Sequence, residues 1–313
     1  MRTFDLAEIR AVLEYPAIID CMRDALIAYS RGECDTPMPM HLNIGTGIAP
    51  ENAEVHVKSS YRRGGRYFAL KIAATFPENA ARGLPTGNGM MLLSSAETGE
   101  PVAFLADAGH LTDVRTAAVA ALVARELGRC DSVLGILGTG IQARLLATMH
   151  AEIMELAGIV VWGRNAERAE ECRRDLQQLL PDIEISVADS AAAVAQRARL
   201  IATATAAREP LLRARDLQAG THISAVGADS PGKQELDPDI LRGAAIVLAD
   251  SRRQCAKLGE LQHAPDQWAR VVEIGEFCVS PVAAASGDIT VCDFTGLGVE
   301  DLYIAEYCYE RAL

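Results

Sequence analysis

The sequence predicts an α/β protein in two parts: helices with antiparallel strands first, and then a parallel sheet. From residue 132 onward, short apolar runs alternate with amphipathic segments, which is typical of βαβ units. Residues 1–105 instead show strand-like runs separated by turn residues. The 313 residues exceed one typical core and half of them are apolar, so we expect two domains.

The first part is predicted from helix and hairpin signals. Asp5 is placed to cap a first helix, and Pro16 suits the first turn of a second. Residues 34–50, rich in proline, methionine and glycine, are predicted as a loop. A Gly64-Gly65 turn separates the first two strand-like runs. These runs are 55–58, 67–72, 89–93 and 102–105.

The second part begins after a predicted alanine-rich helix over Thr112–Leu127. Its strand candidates are 133–137, 159–162, 183–187, 199–203, 221–226 and 244–249. Its helix candidates are 141–157, 166–180 and 189–197. Segment 288–313 ends in a helical pattern, which we expect to pack back on the first part.

Composition excludes several classes of function. The net charge is −12 and there is no lysine- or arginine-rich run, so nucleic acid is not expected as a partner. The sequence contains no long apolar run and no signal-peptide pattern, so we expect a cytoplasmic protein without a membrane span. The eight cysteines are scattered and are predicted to be reduced. The six histidines are separated along the chain, so no metal site is predicted.

A glycine-rich turn, Gly138-x-Gly140-x-x-Ala143, joins an apolar run to an amphipathic segment. A strand that enters a helix through such a turn brings backbone N–H groups and the helix dipole against a pyrophosphate. We therefore predict a dinucleotide site here. The alternative is a tight strand–helix turn that holds no ligand.

The tip of the next predicted strand carries Arg164 where NAD-binding proteins usually carry an acid for the ribose 2′-hydroxyl. A guanidinium suits a 2′-phosphate, so NADP(H) is favoured, with NAD(H) as the alternative. Arg164 as a solvated residue at a helix start is the other interpretation. Small side chains over 201–205 allow close approach of a flat ring at the end of another strand, and equally suit a well-packed strand end.

Three charged residues are candidates for substrate chemistry. Lys71 lies in an apolar run, where an ammonium needs a partner, and Arg115 lies at a predicted helix start. A lysine point charge with a guanidinium fork suits one carboxylate. Asp229 follows a predicted strand and is placed to move a proton to or from a substrate nitrogen. The alternatives are a structural ion pair for Lys71 and a turn cap for Asp229.

These residues resemble the ornithine cyclodeaminase/mu-crystallin family along nearly the whole chain. The motifs that carry the resemblance are Lys71 with Phe76-Pro77-Glu78-Asn79, Glu97-Thr98-Gly99-Glu100-Pro101, Leu111–Ala118, Gly138–Ala143, Gly227–Leu236, Gly259-Glu260-Leu261 and Thr295–Asp301. The resemblance implies a Rossmann dinucleotide-binding domain over 116–289. It also implies an α+β substrate-binding and dimerisation domain formed by both chain ends, 1–115 and 290–313, and a homodimer.

The resemblance further implies hydride transfer between a nicotinamide and the α-carbon of a small amino or imino acid. It assigns Lys71 and Arg115 to the substrate carboxylate, and Asp229 with Lys71 to catalysis. The residues predicted to contact the cofactor are Thr116, Gly138, Thr139, Gly140, Ile141, Gln142, Arg164, Asn165, Thr203, Ala204, Thr205, Val226 and Gly227.

Two departures from the cyclodeaminase pattern favour a reductase of α-imino acids, reversible as an amino acid dehydrogenase. The early loop 36–42 lacks the arginine that cyclodeaminases carry after a proline, and Arg164 replaces the expected acid. His56 and Lys58 share one strand face and are predicted to bind substrate, with Lys58 either replacing the missing cation or serving a second carboxylate, as in iminosuccinate; a solvated edge strand is the alternative. An ornithine cyclodeaminase and a non-catalytic nucleotide-binding protein are the competing hypotheses.

Overall fold

The computed structural model describes residues 1–44 and 53–312, and it divides the chain into two compact units. The first unit is Met1–Arg115 with Leu297–Leu313, and the second is Thr116–Gly296. The predicted boundary at residue 290 differs from this division by seven residues. The reason is that Thr290–Asp293 forms a strand of the parallel sheet in the second unit, a strand that the sequence analysis missed.

The N-terminal elements follow the predicted order. They are β1 (Arg2–Phe4), α1 (Leu6–Ala11), α2 (Tyr15–Ser30), β2 (Cys34–Asp35), β3 (Met40–Asn43), β4 (Glu54–Arg62), β5 (Tyr67–Thr75), a 3₁₀ helix (Pro77–Arg82), β6 (Gly87–Ser95), β7 (Pro101–Leu105) and α3 (His110–Glu126). Asp5 caps α1 through the Glu8 backbone N–H, and the Glu8 side chain accepts from the Asp5 N–H in return. Gly64, with φ of 76°, makes the turn between β4 and β5.

One sheet of the first unit has the strand order β1-β7-β6-β5-β4-β2, with β3 also pairing with β4. Its pairs are antiparallel except β1 with β7. The predicted loop 34–50 is therefore wrong where it contains β2 and β3; residues 45–50 lie outside the described residues. Both short strands owe their conformation to pairing with β4, which no local pattern reveals.

The second unit alternates strands and helices. Its elements are β8 (Val133–Leu137), α4 (Ile141–Ala151), β9 (Gly158–Trp162), α5 (Ala166–Leu179), β10 (Glu184–Val187), α6 (Ala191–Arg197), β11 (Leu200–Thr203), β12 (Arg208–Leu212), β13 (His222–Ala225), β14 (Gln234–Leu236), α7 (Pro238–Gly243), β15 (Ile246–Ala249), α8 (Arg252–Leu258), β16 (Val272–Glu273), α9 (Ile274–Val279) and β17 (Thr290–Asp293). The predicted helix 141–157 is too long, because Met154 and Leu156 pack into the core from a turn rather than from a helix.

The parallel sheet of the second unit has the order β10-β9-β8-β11-β13-β17-β15-β16. The chain leaves β8 toward β9 on one side and later returns to β11 on the other side. Such a reversal is the topological switch point at which doubly wound sheets bind ligands beyond the strand ends. The turn after β8 is the glycine-rich turn of the sequence, so the fold places it at this point.

The last helix, α10 (Gly298–Arg311), packs against α2, β4 and β5 of the first unit. Its first residue approaches the β4 backbone so closely that a Cβ on Gly298 would lie 2.4 Å from the Ser59 carbonyl oxygen. Only glycine fits there. This contact brings the first turn of α10 against the sheet. No helix among the described residues is both long and apolar enough to cross a membrane.

The register of the first sheet sorts its side chains onto two faces. Lys58 lies opposite Lys71, and Lys71 lies opposite Met91; both Lys71 and Met91 are buried. Because alternate residues point to opposite faces, Ile72 and Met90 face the other way, and both are exposed. One face therefore carries buried charges, while the other presents apolar side chains.

Candidate functional site

Three buried cations of the first unit lie near one another and form what we call the cation cluster: Lys58, Lys71 and Arg115. Lys71 Nζ donates to Asp301 Oδ1 at 2.9 Å, and Arg115 Nε donates to the same oxygen at 3.1 Å. Arg115 Nη1 also donates to Glu300 Oε2 at 2.9 Å. The fold thus brings together Lys71 and Arg115, the two residues predicted to bind one carboxylate.

Burial governs the protonation of this cluster. It lowers the pKa of Lys71 to about 7, because the ammonium loses its hydration; Asp301 opposes the shift, whereas Arg115 and Lys58 add to it. Burial alone would raise the pKa of Asp301, but the charges of Lys71 and Arg115 outweigh it and hold that pKa below its ordinary value. Asp301 is therefore a carboxylate, and Lys71 can exchange a proton near neutral pH.

Glu300 and Asp301 were not predicted as site residues. Acids in the first turn of a helix ordinarily need no explanation beyond the helix dipole, so their position in α10 carried no signal of burial. In the structure both are 1% exposed, and only the close approach at Gly298 places them against Lys71 and Arg115. The run Gly298-Val299-Glu300-Asp301 is the one clue that the sequence contains.

Asp107 anchors the helix that carries Arg115. Its Oδ2 accepts from the Leu111 N–H at 2.8 Å, at the beginning of α3, and its side chain is fully buried. Burial raises the pKa of Asp107 above its ordinary value, although Lys71 acts in the opposite direction. The helix that carries Arg115 is thereby fixed at its start, and the Arg115 side chain is fixed by its two acid partners.

The glycine turn of the second unit, Gly138–Ala143, has a conformation that depends on its glycines. Gly138 has φ of 132°, and a Cβ there would lie 2.5 Å from the Ala204 carbonyl oxygen, so no other residue fits. A Cβ on Gly140 would meet open space. Among the described residues, no side chain caps the first turn of α4, whose exposed first residue is Ile141. Backbone N–H groups at such a helix start fit a dinucleotide pyrophosphate.

Arg144 holds this turn from within α4. Its Nη1 donates to the carbonyl oxygens of Thr139 at 2.8 Å and Gly140 at 3.0 Å, while its Nε donates to Asp175 at 2.9 Å. The carbonyls of the turn are therefore tied back to the helix. Arg144 was not predicted as a site residue, because it follows the glycine motif and no ligand contact is expected of it.

Two predicted cofactor residues lie at the tip of β9. Arg164 is exposed, and the neighbouring Gly163 lies so close to Thr139 that a Cβ would be 2.5 Å from its Cγ2. Arg164 is thus adjacent to the glycine turn. Asn165 has a structural task instead: its Oδ1 accepts from the Arg168 N–H at 2.9 Å and caps α5. The Asn165 side chain is therefore already engaged within the protein, which argues against the predicted contact between this side chain and the cofactor.

The hydroxyls of Thr203 and Thr205 point to a buried acid rather than outward. Thr203 Oγ1 donates to Glu235 Oε2 at 2.6 Å, and Thr205 Oγ1 donates to Glu235 Oε1 at 2.7 Å. The Gly227 N–H also donates to Glu235, at 2.8 Å. Any cofactor contact of Thr203, Thr205 and Gly227 must therefore come from other atoms. Glu235 was not predicted, since nothing local marks an acid that accepts from three residues at the ends of two strands, β11 and β13.

Asp229 lies beyond β13 in the second unit. Its Oδ1 accepts from Lys233 Nζ at 2.6 Å and from Ser230 Oγ at 3.2 Å, and 44% of its side chain is exposed. It is an accessible carboxylate with a cationic neighbour. Lys233 lies within the family motif Gly227–Leu236 but was not predicted as a site residue.

The remaining predicted cofactor residues border these elements. Thr116 follows Arg115 within α3, and Gln142 is in the first turn of α4. The Ala204 N–H donates to the Leu137 carbonyl oxygen at 2.7 Å, and the Val226 N–H donates to that of Thr203 at 2.8 Å. Ala204 and Val226 thus extend the central strands of the sheet past their ends.

His56 lies outside the cation cluster although it shares the sheet face with Lys58. Its Nε2 is 3.7 Å from Glu54 Oε2, and its ring centroid is 4.8 Å from that of His41. Of the two predicted substrate-binding residues on this strand, Lys58 therefore groups with Lys71 and Arg115, and His56 groups with Glu54 and His41.

Comparison with known proteins gives the family. The model of the ornithine cyclodeaminase/mu-crystallin family matches residues 4–313. This chain belongs to that family. The predicted resemblance and the predicted α/β fold class are both confirmed.

Relatives within the family carry different activities. An uncharacterized cyclodeaminase of Sinorhizobium fredii is 37% identical, with 94% of this chain and 90% of the relative covered. A delta(1)-pyrroline-2-carboxylate reductase of Bacillus cereus is 30% identical, with 99% and 94% covered. A solved archaeal alanine dehydrogenase dimer with bound NAD superimposes with a TM-score of 0.88 at 27% identity, covering 99% of this chain and 95% of that one. Family membership thus leaves the reaction open.

Proposed function

We propose that the protein is an NAD(P)H-dependent reductase of a small α-imino acid, reversible as an amino acid dehydrogenase. The observation that carries this proposal is the convergence of Lys71 and Arg115, two buried cations, on one acid of α10. Relatives named as a reductase and a dehydrogenase support the same class of reaction.

The cation cluster is assigned to the substrate carboxylate. Because lost hydration is the main cause of the lowered pKa of Lys71, a carboxylate brought beside it favours the charged ammonium. Arg115 is held by Asp301 and Glu300 and by its helix, so its position is fixed before substrate binds. A clamp that is preorganised in this way holds the α-carbon in one place.

The glycine turn is assigned to the cofactor pyrophosphate, and Arg164 to a 2′-phosphate, so NADP(H) is favoured over NAD(H). The nicotinamide supplies or accepts the hydride. The neighbouring alanine dehydrogenase binds NAD, so the proposed preference rests on Arg164 alone. Comparing the affinities of NADPH and NADH tests it directly.

Asp229 is assigned the proton of the substrate nitrogen, with Lys233 beside it. Its exposure leaves it open to a ligand, and the ion pair keeps a positive charge next to the carboxylate. Asp229→Asn should lower kcat by about a hundredfold or more while leaving cofactor affinity unchanged. Steady-state rates combined with NADPH fluorescence titration measure both. An unchanged kcat removes Asp229 from the reaction.

The substrate class is tested by oxidation of NADPH and NADH with a panel of imino acids. The panel contains a cyclic ketimine acid, pyruvate with ammonia, and oxaloacetate with ammonia. A preference for the oxaloacetate mixture supports Lys58 as ligand of a second carboxylate. Cofactor binding without oxidation by any member of the panel contradicts the proposal.

An ornithine cyclodeaminase is the second candidate function. It is favoured by the 37% identical relative named as a cyclodeaminase, and by the lysine cyclodeaminase among the solved structures, which is 30% identical. Release of ammonia from ornithine with a catalytic amount of NAD⁺ would establish this function. The reductase proposal predicts no such release.

A homodimer is part of the proposal. The sheet face opposite the cation cluster exposes Leu70, Ile72 and Met90, which a second copy would cover. The alanine dehydrogenase structure is a dimer. Small-molecule partners, rather than nucleic acid, agree with the net charge of −12. Light scattering of the purified protein gives the oligomeric state.

A further inference from the structure

The fold assembles a second group of titratable side chains beside the cation cluster, here called the histidine cluster: His41, Glu54 and His56. One ligand atom from each lies within 4.8 Å of the others. Glu54 Oε2 is 3.1 Å from His41 Nε2 and 3.7 Å from His56 Nε2. The sequence shows no metal-ligand spacing here, because strand pairing rather than chain proximity brings His41 to the other two.

The backbone fixes this arrangement. His41 on β3 lies directly opposite His56 on β4, and Glu54 is two residues before His56 on the same strand. Residues two apart in a strand share a face, so all three side chains leave the sheet on one side. Each ligand thus starts from a paired strand rather than from a free loop.

We propose that His41, Glu54 and His56 bind a divalent transition-metal ion, with Zn²⁺ as the reference ion. Two imidazole nitrogens and one carboxylate oxygen are ligands that Zn²⁺ takes, at about 2.0–2.2 Å. Mg²⁺ and Ca²⁺ prefer oxygen ligands, so they are not expected here. The observed separations need only small side-chain rotations to reach such an ion.

The exposures of the three side chains suit an exchangeable ion. His41 is 37% exposed, whereas Glu54 and His56 are 18% and 12% exposed. One side of the site is therefore open for entry, and three protein ligands leave a coordination position for water or another ligand. The ion would join the short strand β3 to β4. His56 lies two residues before Lys58 on β4, a distance of about 7 Å along the strand.

The test is metal titration of the full chain, purified without a histidine tag. Calorimetry with Zn²⁺ should show one ion per chain, and Mg²⁺ should show none. His41→Ala and Glu54→Gln should each weaken Zn²⁺ binding by at least about tenfold. His110→Ala, a histidine of the same unit outside the cluster, is the matched control and should bind as the unaltered protein does. The visible spectrum of the protein with Co²⁺ should lack a thiolate-to-cobalt charge-transfer band, as expected for nitrogen and oxygen ligands.

Three outcomes would overturn the proposal. Equal Zn²⁺ affinity in His41→Ala and the unaltered protein would mean adventitious binding elsewhere. A thiolate-to-cobalt charge-transfer band that survives in Glu54→Gln would assign the ion to a cysteine. Absence of binding would leave the cluster as a hydrogen-bonded ion pair. Circular dichroism of each variant confirms folding, and His41 is exposed enough for its loss to be tolerated. None of these readouts requires the proposed reductase activity.

Discussion

The cation cluster of the first unit is formed by side chains, whereas the glycine turn of the second unit is formed by backbone groups. The cation cluster consists of side chains from distant parts of the sequence, and its Lys71 and Arg115 are held away from water by ion pairs with Asp301. The glycine turn consists of backbone groups from six consecutive residues, with Arg144 tying its carbonyls back to the helix. A site made of side chains depends on each residue type, whereas a site made of backbone depends on local conformation.

Buried acids serve the two units in different ways. In the first unit, Asp301 and Glu300 balance cations. In the second, Asp250 Oδ2 accepts from the Thr295 and Gly296 N–H groups, and Asp293 accepts from two further backbone N–H groups. Burial raises the pKa of Asp293 to about 7, although these hydrogen bonds oppose it. Asp250 and Asp293 thus fix loops, whereas Asp301 and Glu300 balance charges.

The largest expected effect comes from breaking the cation cluster. Lys71→Ala leaves the buried Asp301 with fewer partners, so we expect about 3–5 kcal/mol of lost stability. We also expect a fall in kcat/KM on the order of a hundredfold from a misplaced substrate. Urea unfolding and steady-state kinetics measure the two effects.

A double variant separates charge balance from catalysis. Lys71→Met with Asp301→Asn removes one charge of each sign, so it should recover part of the stability but none of the rate. Recovery of the rate would show that Lys71 is only a structural partner of Asp301.

The glycine turn should respond to backbone changes in two distinct ways. Gly138→Ala forces a Cβ against the Ala204 carbonyl at a strained φ, so it should cost about 1–3 kcal/mol of stability. Gly140→Ala meets open space, so it should leave the unfolding midpoint unchanged and weaken NADPH binding. If Gly140→Ala binds NADPH normally, the turn does not hold the phosphate.

The cation cluster should also titrate. Lys71 is charged below its pKa of about 7 and neutral above it, and the charged form binds a carboxylate. The value of kcat/KM for the imino acid, which reports the free enzyme, should therefore fall above pH 7, by up to about tenfold per pH unit.

Lys71→Arg is the control for that titration, because a guanidinium keeps its charge. Its kcat/KM should change little between pH 7 and 9, even if it is lower throughout. The same decline in both proteins would assign the titration to another group.

The smallest effect is expected at the tip of β9. Arg164→Ala should weaken NADPH binding by roughly tenfold or less, because the side chain is exposed, and should leave NADH binding unchanged. Equal changes for both cofactors would show that Arg164 does not contact a 2′-phosphate. The matched control is Arg168→Ala, which removes another exposed arginine, on the first turn of α5.

The sequence by itself predicted only part of the second unit, since β12, β14, β16, β17 and the helices α7 to α9 were not predicted. Its predicted strands and its first three helices lie at or within two residues of their expected bounds, except for the end of α4, because apolar periodicity and the glycine motif are local signals. It also singled out Lys71 and Arg115 as candidate carboxylate ligands from residue type and helix position, and the fold brings the two together. The family motifs, in addition, predicted that both chain ends form one domain.

Only the tertiary structure decided which partners these residues have. Asp301 reaches Lys71 across 230 positions, Glu235 gathers Thr203, Thr205 and Gly227, and β3 brings His41 to His56. Such contacts depend on strand pairing and on the close approach at Gly298, which no window of the sequence contains. Local patterns specify elements, whereas the burial and charge of a side chain are set by what the whole fold packs around it.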